Sequence, residues 1–232
     1  MIKNAVCLIS GGLDSYVTAS IAKHEGYSIY ALSFNYGQQH NKEIECAKKI
    51  AYDINSKEHI IFNIEINKFK GSALIDKSLK IPNNNKLEEI GKSIPSTYVP
   101  ARNTIFLSIS LAYAEVINAD AIYIGVNNTD YSGYPDCRPE YIKAYQKMAD
   151  IATKKSIEGK NIKICAPLLF LSKAEIIKKG VDLKISFEKT WSCYNGKNKS
   201  CGKCESCLLR LKGFKEAKVK DPLTYEVLPD WY

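Results

Sequence analysis

The stretch Asn4-Ala5-Val6-Cys7-Leu8-Ile9-Ser10-Gly11-Gly12-Leu13-Asp14-Ser15 begins as an apolar strand, turns through two glycines and opens a helix whose apolar residues recur at helical spacing up to His24. A strand that passes through glycines straight into a helix gathers free backbone N–H groups at the positive end of the helix dipole. That arrangement suits an anion such as a phosphate. Residues without Cβ permit positive φ and close approach of the main chain, and the Ser10 and Ser15 hydroxyls add donors. Asp14 is the odd member. A carboxylate beside phosphates makes sense if it helps hold Mg²⁺ or caps the helix.

Working outward, residues 28–34 read as a second strand, 41–54 as a helix and 58–66 as a third strand rich in Ile and Phe. Strand and helix alternate. The expected fold is α/β and Rossmann-like, a mostly parallel sheet with helices on both faces and a ligand site beyond the carboxyl ends of the strands. Residues 68–96 are polar, include Pro82-Asn83-Asn84-Asn85, and read as a surface insertion. The pattern resumes with a helix over 102–118, a strand over 121–126, a polar loop over 127–139, a helix over 140–156, a strand over 162–165 and a helix over 172–179. A last amphipathic helix carries Leu208, Leu209, Leu211, Phe214 and Ala217 on its inner side.

With 232 residues, 45% hydrophobic and 25% charged, the composition excludes a disordered or collagenous chain. The longest uncharged apolar run, 104–114, is too short to span a bilayer core roughly 30 Å thick. No signal peptide is legible at the start, so a cytoplasmic, reducing address is expected. The net charge is +8, but the lysines are spread along the whole chain and there are only three arginines, which reads as a solvated surface rather than a nucleic-acid footprint. In a chain that defaults to lysine, Arg102, Arg138 and Arg210 mark places where a planar fork of donors is useful, with a surface ion pair as the plain alternative.

Four of the eight cysteines crowd together as Cys193-x7-Cys201-x2-Cys204-x2-Cys207. In a reducing compartment that spacing reads as a closed tetrahedral zinc site with a structural role, since no coordination position is left for a substrate. An iron–sulfur cluster is the rival. Lys197, Lys199, Lys203 and Arg210 are expected to offset the charge of the site. The expected division is a main domain over 1–188 and a small zinc-binding segment over 189–232.

The chain contains neither G-x-x-x-x-G-K-[ST] nor G-x-G-x-x-G. The hexamer Ser10-Gly11-Gly12-Leu13-Asp14-Ser15 instead resembles the S-G-G-x-D-S signature of the N-type ATP pyrophosphatases, the PP-loop family. Three further stretches extend the likeness: Tyr36-Gly37-Gln38-Gln39-His40, Tyr98-Val99-Pro100-Ala101-Arg102-Asn103, and the loop from Gly125 to Glu140 containing Asp130-Tyr131-Ser132-Gly133-Tyr134-Pro135-Asp136-Cys137-Arg138. With the cysteine cluster, they resemble the 7-cyano-7-deazaguanine synthase family over nearly the whole chain.

That resemblance implies an ATP-dependent carbon–nitrogen ligase in queuosine precursor synthesis. Its substrates would be 7-carboxy-7-deazaguanine, ATP and ammonia, with Mg²⁺ and Zn²⁺ as cofactors and a homodimer as the assembly. Residues 10–15 would hold the pyrophosphate end of ATP, with Asp14, Ser15, Arg102 and Lys173 at the reacting groups. Lys173 could also be a surface lysine at a helix start. Asp130 or Asp136 would accept the N–H edge of the base, Tyr131 or Tyr134 would stack on its ring, and Arg102 or Arg138 would hold the carboxylate or the α-phosphate. His40 reads equally as a structural hydrogen-bonder and a proton carrier. No second domain for glutamine hydrolysis is legible, so free ammonia or a partner is expected to supply nitrogen. Two rivals are a PP-loop enzyme that adenylates a base within tRNA and a non-catalytic zinc-ribbon adaptor.

Overall fold

The computed structural model describes residues 2–38, 42–83, 87, 90, 93–128, 133–195 and 198–232. The chain begins with β1 (Asn4–Leu8), α1 (Leu13–His24), β2 (Ser28–Asn35), α2 (Lys42–Asp53) and β3 (Glu58–Asn63). After the insertion come α3 (Arg102–Val116), β4 (Ala121–Tyr123), α4 (Pro139–Ala152), the short α5 (Lys154–Ile157), β5 (Lys163–Cys165), α6 (Lys173–Asp182) and α7 (Glu205–Ala217). The strands form one parallel sheet in the order β3-β2-β1-β4-β5. The chain therefore moves outward from β1 on one side and restarts at β4 on the other, and a crevice opens where those two directions part, beyond the carboxyl end of β1.

Alternation along the strands sorts the core into two layers. Val6, Leu8, Leu32, Phe34 and Ile122 pack with Leu107 and Leu111 of α3 and Ile142 and Tyr145 of α4. Ala5, Cys7, Ile9, Ala31 and Tyr123 pack on the opposite face with Tyr16 and Ala19 of α1 and Ala47 and Ile50 of α2. Helices thus cover both faces, and the side chains of Ala5, Val6 and Cys7 are fully buried, as expected of a central parallel strand.

The predicted helix over 140–156 is two helices. Thr153 leaves the helical region at φ −117° and ψ 148°, and its hydroxyl caps α5 by accepting the Ser156 N–H at 3.2 Å. The break lets Lys155 turn inward, where Nζ donates to the carbonyls of Asn118 and Ala119 at 3.3 and 2.5 Å just past the end of α3. The insertion is less peripheral than its polarity implies. Ala73 N–H donates to Ser96 O at 2.8 Å, and Ile75 joins the α3 side of the core. α7 serves two neighbourhoods: its first turn carries Cys204 and Cys207, while Phe214 and Ala217 pack with Leu13 and Val17 of α1 and Ile176 of α6. The second half of α7 is therefore packed with α1 and α6.

Candidate active site

The turn after β1 is built on contacts that only glycine permits. Gly11 adopts φ +87°, and a Cβ there would lie 2.0 Å from the main-chain carbonyl oxygen of Glu43, so the start of α2 rests directly on the loop. Gly12 is the N-cap of α1. The Ser15 hydroxyl donates to Gly12 O at 2.9 Å and accepts the Ser10 N–H at 3.2 Å, closing the hexamer on itself. Gly125 presses from the far side, where a Cβ would stand 3.0 Å from Ser15 N. Ser15 thus braces the loop, while the α1 N-terminus faces the crevice.

Lys173, from the other end of the chain, completes this wall. Its Nζ lies 2.8 Å from both Asp14 oxygens, and its side chain is 8% exposed against 19% for Asp14. α6 is aimed by a capping box, in which Glu175 N–H donates to the Ser172 hydroxyl at 3.3 Å and the Glu175 carboxylate accepts the Ser172 N–H at 2.7 Å. The aliphatic part of Lys173 runs over Gly213 of α7, where a Cβ would stand 2.2 Å from its Cγ. Asp14 therefore has a cation on both oxygens, and the helix-capping role is not the one it fills, because Gly12 caps α1 without a side-chain bond.

A single cavity joins this wall to the carboxyl ends of the strands. Ser10, Gly12, Leu13, Asp14, Ser15, Lys173, Arg102 and Tyr134 all line it, and Phe34 and Phe106 give it a flat apolar side, their rings stacked at 4.0 Å. Arg102 opens α3 behind Ala101, a residue held at φ +53°, and its guanidinium lies 6.0 Å from the centre of the Tyr36 ring. Burial works against the charge of Arg102, but Tyr36, Tyr134, Asp136 and Cys137 outweigh it and its pKa is raised, so it is a permanent cation. Tyr36 is pushed up to about 12 by burial, which Arg102 partly opposes. The Tyr134 hydroxyl pairs with Thr97 Oγ1 at 2.9 Å, which fixes its ring on the cavity wall.

Two expected substrate contacts are placed elsewhere. Asp136 is buried and accepts the Asn103 N–H at 3.0 Å, which spends its carboxylate on the first turn of α3 rather than on the cavity. Arg138 is exposed at the start of α4 and does not line the cavity. Asp130, Tyr131 and His40 lie outside the described residues.

The cysteine sulfurs of residues 193, 201, 204 and 207 lie within 4.8 Å of one another and are all buried, with 4.0 Å between those of Cys201 and Cys207. Sulfurs at the corners of a zinc tetrahedron with Zn–S near 2.3 Å stand about 3.8 Å apart, so the donor set fits that ion. Main-chain N–H groups of Lys203 and Cys204 point at Cys201 Sγ at 3.4 and 3.3 Å, as they do around ligating thiolates. The expected counter-charge from Arg210 is mostly committed elsewhere: it is buried and pairs with Asp221 through Nε at 2.7 Å and an Nη at 2.9 Å. Trp191 links the two centres, since its N–H donates to Gly11 O at 2.9 Å while its indole N–H donates to Cys193 O at 2.9 Å.

The sequence profile described as "Queuosine biosynthesis protein QueC" matches residues 4–218. The chain belongs to this family. Among curated relatives similar to it, a protein of Coxiella burnetii (strain RSA 331 / Henzerling II) named 7-cyano-7-deazaguanine synthase is 55% identical over 96% of this chain and 98% of its own. Proteins of the same name from Citrifermentans bemidjiense and Trichodesmium erythraeum are 51% and 52% identical, covering 98% and 94% of this chain and 100% and 99% of theirs. The QueC match spans the phosphate loop, Arg102, Lys173 and the cysteine cluster alike.

Sequence reasoning singled out the Tyr36 stretch but missed Glu43 and Trp191 as parts of the site. Glu43 sits in the first turn of α2, where an acidic residue is ordinary, and its one local signal is that it follows the Tyr36-to-His40 stretch by three residues. The insertion supplies Leu74 to the cavity wall, and no pattern within it announces that.

Proposed function

We propose that this chain is an ATP-dependent ligase that converts 7-carboxy-7-deazaguanine to 7-cyano-7-deazaguanine by adenylating the carboxylate, replacing AMP with ammonia, and activating the resulting amide oxygen with a second ATP so that it leaves with AMP and the nitrile forms. The observation that carries the reading is one cavity that joins the phosphate loop, the cations Arg102 and Lys173 and an apolar, aromatic wall, in a chain whose near full-length relatives bear that enzyme's name.

In this reading the outer phosphates of ATP lie against the N–H groups of residues 10–15, and Lys173 meets the charge that builds on the leaving pyrophosphate. Mg²⁺, carried by the phosphate oxygens, would find Asp14 as the loop's own carboxylate; bound, it would neutralise phosphate charge. Arg102 holds the acid so that its oxygen faces the α-phosphorus. A guanidinium suits this task because its fork binds a carboxylate while keeping its charge at any working pH. The deazaguanine ring lies against Tyr134, with Asp130 and Tyr131 as its further contacts. Zinc at Cys193, Cys201, Cys204 and Cys207 would hold the segment from which Trp191 reaches the loop. We extend the reading to a cytoplasmic homodimer that does not bind nucleic acid, which light scattering and filter binding with tRNA would test.

Incubation of the zinc-loaded protein with the carboxylic acid, ATP, Mg²⁺ and ammonium, followed by mass spectrometry, should yield the amide and then the nitrile together with AMP. Neither product forming would remove the assignment.

A further inference from the structure

We infer that the Glu43 carboxylate accepts the protons that nitrogen sheds when ammonia replaces AMP on the activated acid. This rests on the ligase reading above and assigns a residue to its second step. Asp14 and Glu43 are the carboxylates on the cavity wall among the described residues, and Asp14 already carries Lys173 on both oxygens. Glu43 sits in the first turn of α2, whose main chain touches Gly11, and it lines the cavity together with the phosphate loop and Arg102, whose charge acts on its carboxyl. With the outer phosphates on the loop, as the ligase reading has them, the α-phosphate and the acyl carbon would lie in the cavity that Glu43 lines.

Its surroundings suit proton transfer. Burial pushes the Glu43 carboxyl up to about 7, against the opposing effect of Arg102. Arg102, Tyr36 and the metal-ligating Cys193 are the titratable groups that act on it, and Tyr36 stays protonated at neutral pH. A carboxylate that releases and takes protons near neutrality is matched to a nucleophile that arrives as ammonium.

Ammonium gives one proton to Glu43, which passes it to water at the cavity mouth. The freed lone pair forms the C–N bond, and the second proton leaves the attached nitrogen for the same carboxylate. The C–O bond to AMP then breaks, and AMP departs with its electron pair, leaving the amide. No oxidant or reductant is involved.

Glu43→Gln keeps size and polarity but cannot take a proton. With ammonium as nucleophile, amide formation should fall about 10²-fold or more. Hydroxylamine is largely unprotonated at neutral pH, so the same variant should form the hydroxamate within about tenfold of wild type, which also shows that it is folded. Equal losses with both nucleophiles, or no loss with either, would overturn the inference, and Glu43→Asp should recover ammonium use in part. Wild-type protein that makes neither amide nor hydroxamate would instead indict the ligase reading itself.

Discussion

Lys173 Nζ is equidistant, at 2.8 Å, from the two carboxylate oxygens of Asp14, a residue 159 positions earlier in the chain. The pair joins the N-terminus of α6 to the first turn of α1, so the anion-binding end of α1 is fixed by the far half of the protein. Removing one member leaves the other charged in a largely dry place. Lys173→Met should therefore cost roughly 3–5 kcal/mol, toward the lower end because Asp14 opens into the cavity. Adding Asp14→Asn should return part of that stability in urea unfolding without returning activity.

Gly11 and Gly26 share φ +87°, yet a Cβ at Gly26 meets nothing within 4 Å while one at Gly11 strikes the Glu43 carbonyl. Gly26→Ala should cost only the left-handed conformation, about 1–2 kcal/mol. Gly11→Ala should cost clearly more and abolish ATP binding, which calorimetric titration would show, because α2 must move off the loop.

Stripping the metal should loosen the phosphate loop as well as the cysteine segment, since Trp191 is hydrogen-bonded to both Gly11 and Cys193. Elemental analysis should give one zinc per chain. A chelator should weaken ATP binding and lower the Tm together. Zinc-free protein that binds ATP unchanged, or brown protein with iron, would contradict this arrangement.

His59 on β3 shares a 2.8 Å hydrogen bond with the buried Ser33 hydroxyl, and burial, with Lys48, lowers its pKa below 6.5. The unfolded chain then binds the proton first as pH falls, so this contribution is full above 6.5 and is lost as pH drops toward the folded value. Wild type should lose more stability between neutral and mildly acidic buffer than His59→Asn does, measured as urea midpoints. Equal losses would show that His59 does not titrate in this window.

What was legible in the sequence was local. Ser10 to Ser15 and the four clustered cysteines announce themselves because spacing alone sets their chemistry, and the alternation of apolar runs carries the parallel sheet. What was not legible depends on distant packing. Lys173 could be read as a surface lysine, and only the meeting of α6 with α1 makes it part of the site. Asp136 looked free to accept a base edge, but the turn before α4 delivers it to the Asn103 N–H. Thr153 ends α4 because its hydroxyl offers the backbone a competing bond, which a periodicity of apolar residues does not register.

Adenylyl transfer to the carboxylate is the centre of the account, and oxygen labelling tests it most directly. With ¹⁸O in the carboxylate of the deazaguanine acid, amide formation should release AMP that carries one labelled oxygen on its phosphate, alongside unlabelled pyrophosphate. Unlabelled AMP, or ADP and phosphate in its place, would contradict it.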